Sequence, residues 1–213
     1  MTSTSTAVRI GLDFDNTIVS YDTLFHKVAF EQGLIPADLP QTKLAVRDYL
    51  RHQGQEEVWI EMQGYVYGAR MSEAETYPGV LDFFRWARAN HIPTFIVSLK
   101  TRHPFSGPQY DLHQAARAWV SEHLHNESTP FVEPDAVYFE LTKEEKLARI
   151  TDLKCSLYVD DLPEILLAPS FPRGTEPFLF DPDGHHLDTH LPRIQSWQQL
   201  QKIVEQKWFQ NRS

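Results

Sequence analysis

Two pairs of carboxylates carry most of the chemistry that this chain has to offer. Asp13 and Asp15 close the run Val8-Arg9-Ile10-Gly11-Leu12-Asp13-Phe14-Asp15, and Asp160 and Asp161 close Leu157-Tyr158-Val159. Side chains along a strand alternate with period two, so Asp13 and Asp15 project to the same side. One of such a pair can attack an electrophile while the other handles a proton, and a divalent cation can neutralise both. An Asp-x-Asp found alone is a common acidic turn, so the weight falls on its company. Ser98 ends a third apolar run, Pro93-Thr94-Phe95-Ile96-Val97-Ser98. Two lysines lie on the helix opened by Thr142-Lys143-Glu144-Glu145-Lys146. Apolar residues follow four and seven positions after each, at Leu147 and Ile150 from Lys143 and at Ile150 and Leu153 from Lys146. Either can face a core, and Lys146 is favoured narrowly.

The elements that must hold these groups follow from hydrophobic spacing. Strands are expected at Val8–Asp15, Pro93–Ser98, Ala136–Phe139, Ser156–Asp160 and Phe178–Asp181. Between and after them helices are expected at Gly79–Asn90, Leu112–Leu124 and Lys143–Ile150, then a short one after Pro163 and a last one at Trp197–Trp208. Alternating strands and helices predict an α/β fold, a Rossmann-like three-layer sandwich around a central parallel sheet. Ligands on such sheets sit at the carboxyl ends of strands, where strand order reverses. From Asp22 to Gly68 the pattern is helical only. Leu24, Phe25, Val28 and Ala29 form one stripe, Leu44, Val46, Tyr49 and Leu50 a second, and Trp59, Met62, Tyr65 and Val66 a third. The expected division is therefore a core of residues 1–20 and 72–213 with a small all-helical insertion at 21–71. Ser72-Glu73-Ala74-Glu75 has the spacing of a helix capping box.

Composition narrows the classes of function. At 213 residues, 41% hydrophobic and 23% charged, the chain suits one globular domain with an insertion. The single cysteine, Cys155, fits a reducing compartment and reads as the approach to a buried strand. With no signal-peptide pattern and no membrane-length apolar run, a cytoplasmic location is expected, and the opening Ser/Thr stretch reads as a tail. A formal charge of −9 argues against a nucleic-acid partner, and any anionic substrate needs local cations. His185, His186 and His190 lie beyond the core motifs in a Pro/Gly/Asp-rich stretch, Asp181-Pro182-Asp183-Gly184, and read as a solvated loop rather than a zinc site.

Taken in order, the Asp13-Phe14-Asp15-Asn16-Thr17 motif, Ser98, a lysine and the Asp160-Asp161 pair resemble the four signature motifs of the haloacid dehalogenase (HAD) superfamily, over Val8 to about Leu167. The resemblance implies a magnesium-dependent phosphatase. Asp13 would be the nucleophile that forms an aspartyl-phosphate, and Asp15 the group that protonates the leaving group and then activates water. Ser98 and the lysine would bind and neutralise the phosphoryl group. Magnesium would be held by Asp13, the Asp15 carbonyl and Asp161, with Asp160 as an accessory carboxylate. Thr17, the N–H of Leu99, Lys100 and Arg102 are the expected substrate contacts, although Lys100, Arg102 and His103 read equally well as a solvated loop. The dehalogenases of the superfamily lack a carboxylate at the Asp15 position, so the resemblance favours phosphoryl transfer. The insertion resembles the caps that select small substrates, which implies a small phosphorylated metabolite, a sugar phosphate by analogy. A phosphomutase, a nucleotide or nucleic-acid end phosphatase, and a non-catalytic binding module are the alternatives.

Overall fold

The computed structural model describes residues 8–127 and 129–209, so the Ser/Thr stretch expected to be a tail lies outside the described residues. The described chain forms two compact units. One comprises residues up to Ile18, Tyr77–Leu99 and the residues from Leu124 on; the other comprises Val19–Thr76 and Lys100–His123.

The first unit is built on a six-stranded sheet. Its strands are β1 (Ile10–Leu12), β4 (Thr94–Leu99), β7 (Val137–Glu140), β8 (Leu157–Asp160), β9 (Glu176–Phe180) and β10 (Arg193–Ile194), where β2, β3, β5 and β6 are short strands outside this sheet. The order across the sheet is β10-β9-β8-β1-β4-β7 and every pairing is parallel. From β1 the chain steps outward through β4 to β7, then returns to the other side of β1 for β8, β9 and β10. The reversal falls at β1, so the crevice lies at the carboxyl ends of β1, β4 and β8. Ile10, Leu12, Leu157, Tyr158 and Val159 are wholly buried, as expected of strands covered on both faces. The helices of this unit are α4 (Val80–Ala89), α6 (Lys143–Asp152), α7 (Pro163–Leu166) and α8 (Trp197–Val204). α4 and α8 bury Phe83, Phe84 and Trp197 against one another, with ring centroids of Phe83 and Trp197 5.0 Å apart. A hairpin of β5 (His125–Asn126) and β6 (Thr129–Pro130) completes the unit.

The second unit holds α1 (Asp22–Glu31), α2 (Lys43–His52), α3 (Glu56–Tyr67) and α5 (Leu112–His123). A two-stranded antiparallel ribbon, β2 (Val19–Ser20) with β3 (Glu75–Thr76), joins the two ends of the helical insertion. The sequence reading kept residues 100–123 with the sheet. In the structure they belong with the helices for a steric reason. Gly64 lies in α3 and Gly68 caps its C-terminus; a Cβ would come within 2.6 Å of Pro104 at the first and 2.5 Å of Tyr110 at the second. Their lack of side chains lets the 104–110 loop seat directly on α3. Trp119 of α5 is buried and donates its indole N–H to the Ala74 carbonyl at 2.8 Å.

Several local expectations shift. Ser72 and Glu75 form no cap: Met71–Glu73 is a 3-10 turn and Glu75 begins β3. The capping box sits instead at Thr142, whose hydroxyl accepts from the Glu145 N–H while the Glu145 carboxylate accepts from the Thr142 N–H. The strand expected at Phe178–Asp181 spans Glu176–Phe180, and the last helix ends at Val204 before a π-helical turn, Glu205–Phe209.

Candidate active site

Register explains why the acidic residues meet. Leu12 pairs with Val159 on one side and Ile96 on the other, so the next residue, Asp13, comes level with Asp160 and with Val97, the residue before Ser98. The Asp13 N–H donates to the Val159 carbonyl at 2.8 Å, which locks that level. Phe14 points the opposite way, into the core, edge-on to Phe139 at 5.4 Å. The turn after the strand is closed by the Ile18 N–H on the Phe14 carbonyl at 3.0 Å.

Lys146 is the charge at the centre. It sits in the second turn of α6, and helical side chains tilt toward the N-terminus of their helix, so its stem runs back to the strand ends. Its ammonium donates to Asp13 Oδ1 at 2.6 Å and Asp160 Oδ2 at 2.7 Å, and only 1% of the side chain is exposed. The Tyr158 ring lies 5.6 Å from the ammonium and is anchored by its own hydroxyl, which donates to the Val97 carbonyl at 2.6 Å. The lysine left open by the sequence is thereby placed. Lys143 meets the Glu164 carbonyl instead. Ser98, also buried, donates its hydroxyl to Asp13 Oδ1 at 2.9 Å. Asp160 Oδ1 accepts from the Leu162 N–H at 2.9 Å, and Asp161 Oδ2 accepts from the Asn16 side-chain amide at 3.3 Å.

Among the described residues, Asp13, Asp160 and Asp161 are the group whose ligand atoms all lie within 4.8 Å of one another. Of these three carboxylates, Asp13 and Asp160 share the Lys146 ammonium. Burial pushes the Asp13 carboxyl up to about 7; Lys146 opposes this, while Asp160 and Asp15 reinforce it. Burial works against the charge on Lys146, but Asp13 and Asp160 together hold its pKa above the ordinary lysine value. An all-oxygen donor set fits a hard divalent cation. The residues that could hold one are Asp13, Asp160 and Asp161; Asp160 also accepts from Lys146 and from the Leu162 N–H.

The other expected site residues fall in different places. Asp15 is half-buried and close enough to act on the ionisation of Asp13. Thr17 is fully buried and no hydrogen-bond partner is seen for its hydroxyl. Leu99 is the exposed last residue of β4. Lys100 is buried in the helical unit, its ammonium 5.0 Å from the centre of the Tyr67 ring. Arg102 pairs with Asp111 at 3.1 Å, so its guanidinium is already engaged. Cys155 is buried and its thiol is pushed up to about 12, which makes it inert. The main-chain N–H groups of His185 and His186 donate to the Asp181 carboxylate. Asn16 was not singled out from the sequence; an Asn after a strand reads as a turn former, and its partner lies 145 residues away.

No protein-family model and no curated protein sequence matches this chain. Solved structures do. A HAD family hydrolase of Deinococcus radiodurans R1, determined with phosphate and sodium bound, aligns with a TM-score of 0.59 at 15% identity, over 95% of this chain and 96% of that one. A protein described as a predicted phosphoglycolate phosphatase of Haemophilus somnus aligns with a TM-score of 0.56 at 13% identity, over 95% and 99% of the two chains. An L-2-haloacid dehalogenase aligns with a TM-score of 0.54 at 14% identity, over 94% and 100%. The chain has the haloacid dehalogenase-like fold.

Proposed function

We propose that this protein is a magnesium-dependent phosphatase that hydrolyses a small phosphorylated metabolite through an aspartyl-phosphate on Asp13. The observation that carries the reading is the convergence of Ser98 and Lys146 on one oxygen of Asp13, which fixes the carboxylate and leaves its other oxygen for attack. Bound magnesium supplies charge neutralisation for a phosphate dianion that a carboxylate nucleophile would otherwise repel. Lys146 adds a fixed positive charge beside the bond being formed, and the Ser98 hydroxyl is free to rotate from Asp13 onto a phosphoryl oxygen. Asp15, two residues on from the nucleophile, protonates the departing alkoxide and then takes a proton from the water that cleaves the acyl-phosphate. A small substrate is favoured because the helical unit is inserted directly after this motif, as caps are in the proteins the sequence resembles.

Dehalogenases share the fold, as one of the aligned structures shows, so halide release is the competing reading. Asp15 and the metal-competent carboxylates weigh against it, because displacing a halide requires neither an acid on the leaving group nor a cation. The discriminating experiment is a panel of phosphate monoesters and 2-haloacids assayed with and without Mg²⁺. Inorganic phosphate should be released only with the metal, and Asp13→Asn should abolish release while leaving the melting temperature near that of the parent. Halide release, or phosphate release by Asp13→Asn at the parent rate, would end the proposal.

A further inference from the structure

Asn16 combines two features that an ordinary turn residue would not need together. Its backbone is in the left-handed region, at φ +56°, and its side chain reaches the carboxylate of Asp161, from the other acidic pair. Left-handed backbone alone would be served best by glycine, as at Gly33 and Gly54 elsewhere in the chain. The polarity of the contact is fixed by chemistry: a carboxylate only accepts, so the amide NH₂ of Asn16 must face Asp161. Asp161 is half-buried beside Asp13 and Asp160, so it experiences their repulsion. Asp160 is tied down at both oxygens and Asp13 at Oδ1 by two donors.

We infer that Asn16 is a positioning residue that holds Asp161 in its metal-binding orientation. The inference rests on the proposed metal-dependent reading of the site and extends it to a residue outside the acidic pairs. A hydrogen bond from the amide to one oxygen restricts the rotation of the Asp161 carboxylate beside Asp13 and Asp160. Groups that orient metal ligands in this way typically change metal affinity by about 10–100-fold when removed.

Asn16→Gly separates the two roles, since glycine keeps the left-handed backbone and removes only the amide. Mn²⁺ binding to the full chain, followed by the loss of the free-ion paramagnetic signal on titration, should weaken by about tenfold or more in this variant. The melting temperature without metal should be unchanged or higher. In the phosphatase assay the metal concentration for half-activation should rise, with kcat at saturating metal retained. Unchanged Mn²⁺ affinity in Asn16→Gly overturns the positioning role, as does weakened binding that tracks a lower melting temperature. Absence of Mn²⁺ binding by the parent chain would instead overturn the metal-dependent reading itself, so the two failures are distinct.

Discussion

Lys146 is where the cost of this site is concentrated. Removing water from an ammonium and two carboxylates is expensive, and the arrangement holds only because each charge meets its opposite at hydrogen-bonding distance. Replacing Lys146 by Met keeps much of the side-chain volume and deletes the charge, leaving Asp13 and Asp160 to repel one another in a dry setting. The expected loss is about 3–5 kcal/mol of stability, read as a fall of roughly 10 °C in melting temperature for a chain of this size. Added Mg²⁺ should recover part of it, which a thermal melt with and without the metal would show; an unchanged melting temperature would mean that the lysine carries no such load. Single residues were also where the sequence was most informative. The types and order of Asp13, Ser98 and Asp160 marked the site because strand ends can be read from apolar runs. The choice between Lys143 and Lys146 could not be made from apolar spacing, which both satisfy. It depends on which stem runs back to the strand ends.

At the scale of elements, the central strands were legible and the edge was not. β10 has only two residues, Arg193 and Ile194, too few to show alternation, and it is held in place by long-range bonds. One of these is made by Asp181 just after β9, which accepts from the His185 and His186 N–H groups at 2.7 and 3.1 Å and from Arg193 at 3.3 Å. Burial alone would raise the pKa of this carboxyl, but the three donors outweigh it and the net shift is downward. A carboxylate lowered in this way stabilises the fold above its ordinary value of 3.8 and loses that contribution as pH falls through the lowered one. Asp181→Asn should therefore cost about 1–3 kcal/mol at neutral pH, and the gap from the parent should close below pH 4. Urea titrations at pH 7 and pH 3 would check the sign; a gap that is equal at both would refute it. The assignment of residues 100–123 was illegible for a related reason. The amphipathic pattern of α5 shows that it buries a face, while its partner is decided by the close approach that Gly64 and Gly68 permit.

For the molecule as a whole, ligand linkage offers the broadest test. The clustering of Asp13, Asp160 and Asp161 means that a cation bound to the folded state alone should stabilise it, by about 2.7 kcal/mol at a hundredfold excess over the dissociation constant. At 213 residues that corresponds to roughly 5–10 °C in melting temperature. Mg²⁺ should raise the melting temperature in this range, and Asp161→Asn should abolish the rise. A parent chain indifferent to Mg²⁺ would argue that the carboxylates serve some other end. Whole-chain composition set useful bounds on this picture, and among the described residues no helix is long and apolar enough to cross a membrane. It was silent on the substrate, because the acidic pairs bear on the proposed reaction and not on the molecule that undergoes it.

The central place of β1 has a consequence for how the chain is made. Its two neighbours in the sheet are β4 and β8, and the contact between Arg9 and Ser156 that continues the β1–β8 ladder spans 147 residues. At ribosomal speeds of 5–20 residues per second, β1 is exposed for roughly 7–30 seconds before its second partner has been synthesised. During that interval an apolar strand carries an open edge, the kind of surface on which nascent chains associate with one another. The strand that leads into Asp13 is therefore also a segment exposed to misassembly at birth.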